Sequence, residues 1–291
     1  MSISSLGIPH SSSWFLEECF KYFVLGIIQG ITEFFPISST AHLKVIPEFL
    51  GWGDPGVSLT AAIQFGSILA VVCYFWKDIR VVLKGISEAF RSGYWSHRNA
   101  MLGTSLIIGT LPILLVGGYI KLFWPGYQFS QLRTLTSIAL VSILMSFMLY
   151  LAERFSTRKR TITHINGFDG LIVGAAQTLA FLPGASRSGV TISASLFRGM
   201  DGISSARFSF LLGIPAIIFS GLIGIKDAIN TQDSASLLPL TIGIFSAAIT
   251  SWLSIDFLLK FLQKKSIMIF VYYRFFFGIF LLTWIYTNNS A

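Results

Sequence analysis

A chain of 291 residues that is 53% apolar and only 12% charged carries about half of the roughly 25% charge with which a soluble domain covers itself. This excludes a soluble enzyme, a disordered chain and a secreted disulfide scaffold, and leaves an integral membrane protein built of α-helices. The formal charge of +8 suits basic loops facing anionic lipid; its scatter over many loops argues against nucleic-acid binding.

The N-terminal stretch MSISSLGIPHSSSW has no Lys or Arg and no short apolar core, so it does not read as a cleavable signal peptide. Residues 14–50 are apolar but broken midway by Pro, Gly and a Ser cluster. Three runs follow at 57–76, 101–124 and 134–152, each near the ~20 residues that cross a bilayer. A second broken region occupies 168–199, and three more runs lie at 203–225, 238–259 and 267–287. Neither broken region offers 20 clean residues on either side of its break, the pattern of a re-entrant helix–loop–helix. The expected fold is one all-α membrane domain with six transmembrane helices and two re-entrant hairpins. The connection 77–100, with Ile79, Val82, Leu83 and Ile86 among basic residues, reads as an interfacial amphipathic helix. Cys19 and Cys73 read as core thiols, and His10, His97 and His164 fall in polar loops with no role.

Basic residues concentrate in alternate connections: 77–100, 153–167 and 260–265. The intervening connections, 125–133 and 226–237, hold only Arg133 and Lys226, with Asp227 and Asp233. The positive-inside rule makes the first set cytoplasmic, so 14–50 enters from the outer face, 168–199 from the cytoplasm, and both termini lie outside.

The two broken regions match each other. GIIQGITEFFPISST (26–40) aligns with GAAQTLAFLPGASRS (174–188), pairing Gly26 with Gly174, Gln29 with Gln177 and Ser38 with Ser186 at an offset of 148. Gly56 and Ser58 match Gly202 and Ser204 at 146. Each half, about 14–152 and 168–287, holds one hairpin and three spans; three is odd, so the second copy is inverted.

Gln29 and Glu33 share a helical face, and Gly26 and Gly30 form a smooth strip for a neighbouring helix. A carboxylate at membrane depth costs roughly 2.5–3.5 kcal/mol, so Glu33 should face a cavity, a metal or a cation. In PISSTAH (36–42), three hydroxyls follow a proline and His42 lies one helical turn beyond Ser39, within expected reach of it. In PGASRSGVT (183–191), Gly184 and Gly189 allow tight backbone geometry, Ser186, Ser188 and Thr191 supply hydroxyls, and Arg187 offers a fork of donors suited to phosphate oxygens. The inverted arrangement brings Arg187 to Glu33. Arg274 reads as an interfacial anchor or a bundle-facing structural charge, and Gln64, Ser67 and Asp256 stay unassigned.

These strings resemble the signatures of the bacitracin-resistance (BacA-type) undecaprenyl-diphosphate phosphatases. Gln29-Gly-Ile-Thr-Glu33 matches the Glu/Gln-xxx-Glu motif, Pro36 to His42 the Pro-x-Ser-Ser-Thr-x-His stretch, and Pro183 to Thr191 the Pro-Gly-x-Ser-Arg-Ser-x-x-Thr motif. Ala41 departs from the Gly of many members. The resemblance implies hydrolysis of undecaprenyl diphosphate to undecaprenyl phosphate and inorganic phosphate, which recycles the carrier lipid for peptidoglycan synthesis and confers bacitracin resistance. It further implies a site opening to the outer side of the bacterial plasma membrane, and a divalent cation, Mg2+ or Ca2+, at Glu33. Glu33 would be the essential acid, Ser39 the nucleophile unless water is, and His42 its base or the leaving group's acid. Arg187 would hold the diphosphate, with Gln29, Ser38, Thr40, Gly184, Ser186, Ser188 and Thr191 as further substrate contacts. Expected partners are the prenyl diphosphate and anionic lipids, with a homodimer compatible. The rival function is a secondary transporter or flippase of the carrier lipid, since broken helices in inverted repeats also build transporters.

Overall fold

The computed structural model describes residues 12–124, 126–127, 130–231 and 237–289. Residues 1–11, with His10, and Asp233 lie outside them. The described chain is helical: α1 (Ser12–Phe34), α2 (Ser39–Phe49), α3 (Gly56–Tyr74), α4 (Trp76–Ser92), α5 (Arg98–Phe123), α6 (Leu135–Phe155), α7 (Gly167–Gln177), α8 (Arg187–Phe197), α9 (Gly202–Thr231), α10 (Leu237–Leu262) and α11 (Met268–Asn289).

Six helices are long and apolar enough to cross a membrane: Gly56–Tyr74, Arg98–Phe123, Leu135–Phe155, Gly202–Leu222, Leu237–Leu262 and Met268–Asn288. Their outer faces carry exposed Leu115, Leu144, Phe147, Phe245 and Phe276, a belt that water would not tolerate on a monomer. This is a multi-pass membrane protein, with the six spans where the hydropathy of the sequence puts them.

Of the other five helices, α1 with α2 and α7 with α8 form two helix–turn–helix pairs, and α4 occupies the basic connection after α3. α2, α7 and α8 have 11 residues each, about 16 Å at 1.5 Å per residue and half of a ~30 Å hydrocarbon core. α1 is longer, at 23 residues, because its first turns carry Glu17, Glu18 and Lys21, ion-paired at 2.9 and 3.2 Å.

Side-chain links show which ends lie together. Arg207 meets Asp78 at 2.5 Å, Tyr74 donates to Asp256 at 3.2 Å, and Glu153 accepts from Ser266 and pairs with Arg158. These links gather the three basic connections at one end of the bundle. α7 begins and α8 ends there too: Asp169, fully buried, is held by Arg160 and by Arg198 at 2.7 Å. α1 begins and α2 ends at the opposite end, where Phe20 meets Trp52 and Phe49 meets Trp284 of α11. Each pair enters and leaves at its own end and turns in the interior.

Close approach of small residues seats both pairs. α1 lies on α10 and α7 on α5. A Cβ at Gly30 would come within 2.7 Å of the Ser251 amide nitrogen, and one at Gly174 within 2.5 Å of Gly109 Cα. The glycine strip expected on α1 is therefore an α10-facing groove. The cysteine expectation fails: both thiols are free, but Cys19 is half-buried and Cys73 exposed on the outer face of α3. An apolar residue of a membrane protein can face lipid, so apolar neighbours do not imply a core position.

Candidate active site

The two turns adopt the same unusual backbone. Ser38 has φ 77° and ψ 98°, Ser186 φ 70° and ψ 112°. Left-handed φ is uncommon in a residue with a side chain; among the described non-glycine residues only Arg158 shares it. Each serine caps the helix that follows: Ser38 Oγ accepts from Ala41 N at 3.4 Å, Ser186 Oγ from Gly189 N at 3.1 Å. That contact satisfies a first-turn amide and helps hold the conformation.

The turns interlock at the middle of the bundle. Arg274 of α11, 1% exposed, donates through Nη1 to the carbonyls of Pro36 (3.0 Å) and Ala185 (3.1 Å), and through Nη2 to that of Gly184 (2.7 Å). Ser188 Oγ donates to Phe35 O at 3.0 Å. Of the two roles read for Arg274, the interfacial anchor is excluded by burial. It is a structural charge that pins both turns.

Glu33 sits where the turns meet, 6% exposed. Its Oε2 accepts from Ser39 Oγ at 2.7 Å and Gln29 Nε2 at 3.0 Å; its Oε1 accepts from Gln64 Nε2 at 3.2 Å and Arg187 Nη2 at 3.3 Å. A buried carboxylate with a cation and three neutral donors is well compensated. Arg187 Nη1 also donates to Ser209 O, while its Nε has no hydrogen-bond partner. The expected Glu33–Arg187 meeting across 154 residues is present.

A cavity of about 420 Å³ opens over this constellation. Glu33, Ser38, Ser39, Thr40, Ser186 and Arg187 form its polar floor, Ile113, Leu114, Ile217 and Phe219 an apolar wall, and Lys121 stands at its rim. Gln29 lines an adjoining space. Volume and lining suit a charged head joined to an apolar chain.

Four sequence-derived residues fall elsewhere. His42 does not reach Ser39: Nδ1 lies 2.8 Å from Ser38 O and Nε2 2.7 Å from Tyr273 OH, and the ring stacks on Phe277 at 4.5 Å. A carbonyl only accepts, so Nδ1 carries the proton and, in the neutral ring, Nε2 accepts from the tyrosine. Both nitrogens are occupied away from the cavity, and the ionisable group in contact with Ser39 is the Glu33 carboxylate. Ser188 is spent on the Phe35 and Glu33 carbonyls, Thr191 donates to Arg187 O at 2.8 Å and meets Ser209 Oγ at 2.6 Å, and Gly184 gives its carbonyl to Arg274. These three shape the cradle without lining it. Gln64, left unassigned from sequence, is a direct partner of Glu33; a lone Gln in an apolar run was the one available signal.

A family profile described as "Bacitracin resistance protein BacA" matches residues 22–280. The chain belongs to the BacA family. It is similar to the undecaprenyl-diphosphatase of Prochlorococcus marinus (strain MIT 9303), 55% identical over 287 residues that cover 99% of this chain and 98% of that protein. It is also similar to the undecaprenyl-diphosphatase of Synechococcus sp. (strain WH7803), 57% identical over 269 residues, 92% of this chain and 94% of that one. The motif resemblance is borne out over nearly the whole length. No group of three or more His, Cys, Asp or Glu occurs among the described residues, so this BacA chain has no closed all-protein metal cage there.

Proposed function

We propose that the protein is an undecaprenyl-diphosphatase of the bacterial plasma membrane, returning undecaprenyl phosphate to cell-wall synthesis and conferring bacitracin resistance. The carrying observation is Ser39 hydrogen-bonded to Glu33 beside Arg187, on the floor of a cavity with an apolar wall. The two halves are read as an inverted repeat with both hairpins re-entrant, supported by the matched Ser38 and Ser186 conformations and by pairs that return to their own ends. Basic connections at the end opposite α2 support a cavity opening outward.

Phosphoryl transfer asks a site chiefly for positioning and charge neutralisation. The prenyl tail stays in lipid along the apolar wall while the diphosphate meets Arg187 and the amides and hydroxyls of the floor. Ser39 Oγ attacks the terminal phosphorus in line with the bridging oxygen as its proton passes to Glu33. The bond from that phosphorus to the bridging oxygen breaks, undecaprenyl phosphate leaves, and Ser39 carries the phosphoryl group. Glu33, having passed its proton to solvent, then deprotonates a water that attacks the same phosphorus; the bond from phosphorus to Ser39 Oγ breaks, inorganic phosphate leaves, and Glu33 returns the proton to Ser39 Oγ. Glu33 would hold a divalent cation, Mg2+ or Ca2+, a hard ion suited to carboxylate oxygen, and the ion would supply further charge neutralisation.

The test is phosphate release from a polyprenyl diphosphate by the purified chain in detergent, with and without chelator. Turnover by the wild type is expected, with Glu33→Ala and Arg187→Ala falling about 10²–10³-fold or more while the fold stays intact, the melting temperature dropping as each leaves a buried partner unpaired. A lipid transporter would release no phosphate, and normal turnover in Arg187→Ala would refute the assignment.

A further inference from the structure

The reaction proposed above makes two products of opposite character. The lipid monophosphate must withdraw along an apolar surface, whereas inorganic phosphate is a small water-loving anion. One opening filled by a lipid tail serves the second product badly.

A second cavity, of about 260 Å³, adjoins the first. The two share eight lining residues, Ser39, Thr40, Gln64 and Phe181 among them, so Ser39 borders both. Ile113, Ile217 and Phe219 do not line the second; its own lining mixes the apolar Leu43 and Pro183 with Gln29, Tyr127 and Arg133. Tyr127 and Arg133 come from the connection between α5 and α6, outside the spans. Both residues are fastened down: Tyr127 OH donates to Phe181 O, and Arg133 O accepts from Lys44 Nζ at 2.8 Å. Burial pushes the Tyr127 phenol above its ordinary range, against the opposing charge of the nearby Arg133. Arg133 is half-buried, and among the described residues its guanidinium has neither an ion-pair nor a hydrogen-bond partner. Lys44, its neighbour on α2, is by contrast paired with Asp54 at 3.4 Å. An uncommitted cation at a space that reaches the reacting serine is an anion site in waiting.

We propose that this cavity is a dedicated port for inorganic phosphate, with Arg133 as its anchoring cation, separate from the lipid route past Lys121. It rests on the phosphatase reading and divides that site by product. Phosphate released at Ser39 moves toward Arg133 and leaves to water, while the lipid monophosphate recedes along the apolar wall. Free phosphate entering the same way inhibits by occupying the port.

The test uses the full chain in detergent with inorganic phosphate as the probe, comparing wild type, Arg133→Gln and Lys121→Gln. Inhibition constants for phosphate are measured beside kcat/KM for a polyprenyl diphosphate, and phosphate binding to the lipid-free protein is followed by phosphorus NMR. Arg133→Gln is expected to raise the phosphate inhibition constant about tenfold or more, to weaken the NMR-detected binding in parallel, and to move kcat/KM far less. Lys121→Gln should show the reverse pattern, a loss in kcat/KM with little movement in the phosphate constant. An unchanged phosphate constant in Arg133→Gln, with wild-type turnover intact, overturns the port alone; so does an equal fall in kcat/KM and phosphate binding. A wild type that releases no phosphate overturns the phosphatase reading and the port with it.

Discussion

At the scale of single residues, Glu33 and Arg187 are held by neighbours whose size and reach are tightly bounded. Gly213 of α9 lies against the Arg187 guanidinium; a Cβ there would collide with Nη1 and stand 2.5 Å from Cζ. Gly213→Ala should therefore push the guanidinium off Glu33, now 3.3 Å away, and cost activity chiefly as a raised KM, checked by steady-state kinetics beside a thermal melt. Ser39 and His42 separate by a different pair of measurements. Ser39→Ala should abolish turnover at unchanged stability. His42→Ala removes two hydrogen bonds and a stacked ring, about 2–3 kcal/mol together, so activity and melting temperature should fall in step. A His42 variant that loses turnover with no loss of stability would return the imidazole to the chemistry. Charge was legible in the sequence at this scale, because a Glu and an Arg in apolar surroundings need each other. Hydrogen-bond direction was not. The spacing of Ser39 and His42 suggested a contact, but the ring's partner, Tyr273, lies 231 residues away and leaves no local trace.

At the scale of elements, the two turns matter more than the helices they join. Each sits at left-handed φ, stores a little strain, and is held there by one buried Arg274 that spans both. Arg274→Ala would strand three carbonyls, those of Pro36, Gly184 and Ala185. At about 1–3 kcal/mol for each unsatisfied buried group, the loss should exceed 3 kcal/mol, seen as a large drop in melting temperature together with loss of phosphate release. Arg274→Lys should recover little, because one ammonium cannot reproduce a planar fork reaching both turns. The broken segments announced themselves through Pro, Gly and Ser clusters in otherwise apolar runs. What pins them did not, since the three acceptors are backbone atoms and backbone atoms have no sequence.

At the scale of the whole molecule, the two halves divide the chemistry. Position 33 holds Glu and its counterpart 181 holds Phe; position 39 holds Ser and its counterpart 187 holds Arg. On the proposed reading as an inverted repeat, the first half brings Glu33 and Ser39 and the second brings Arg187 to one floor, while Phe181 serves as a cavity wall. Hydropathy alone placed the spans, because lipid imposes the same length rule on each. Which face looks outward depends on charge bias, and it has a direct test. Lys264, in the turn between α10 and α11, and Asn288, at the far end of α11, are both exposed and belong to opposite ends of one helix. With Cys19 and Cys73 replaced, a single cysteine at 288 should react with a membrane-impermeant maleimide in intact cells, and one at 264 only after permeabilisation. The reverse pattern would turn the cavity toward the cytoplasm. The protein would then meet its diphosphate on the inner leaflet, and Lys121 and Arg133 would face cytosolic phosphate instead of releasing it outside.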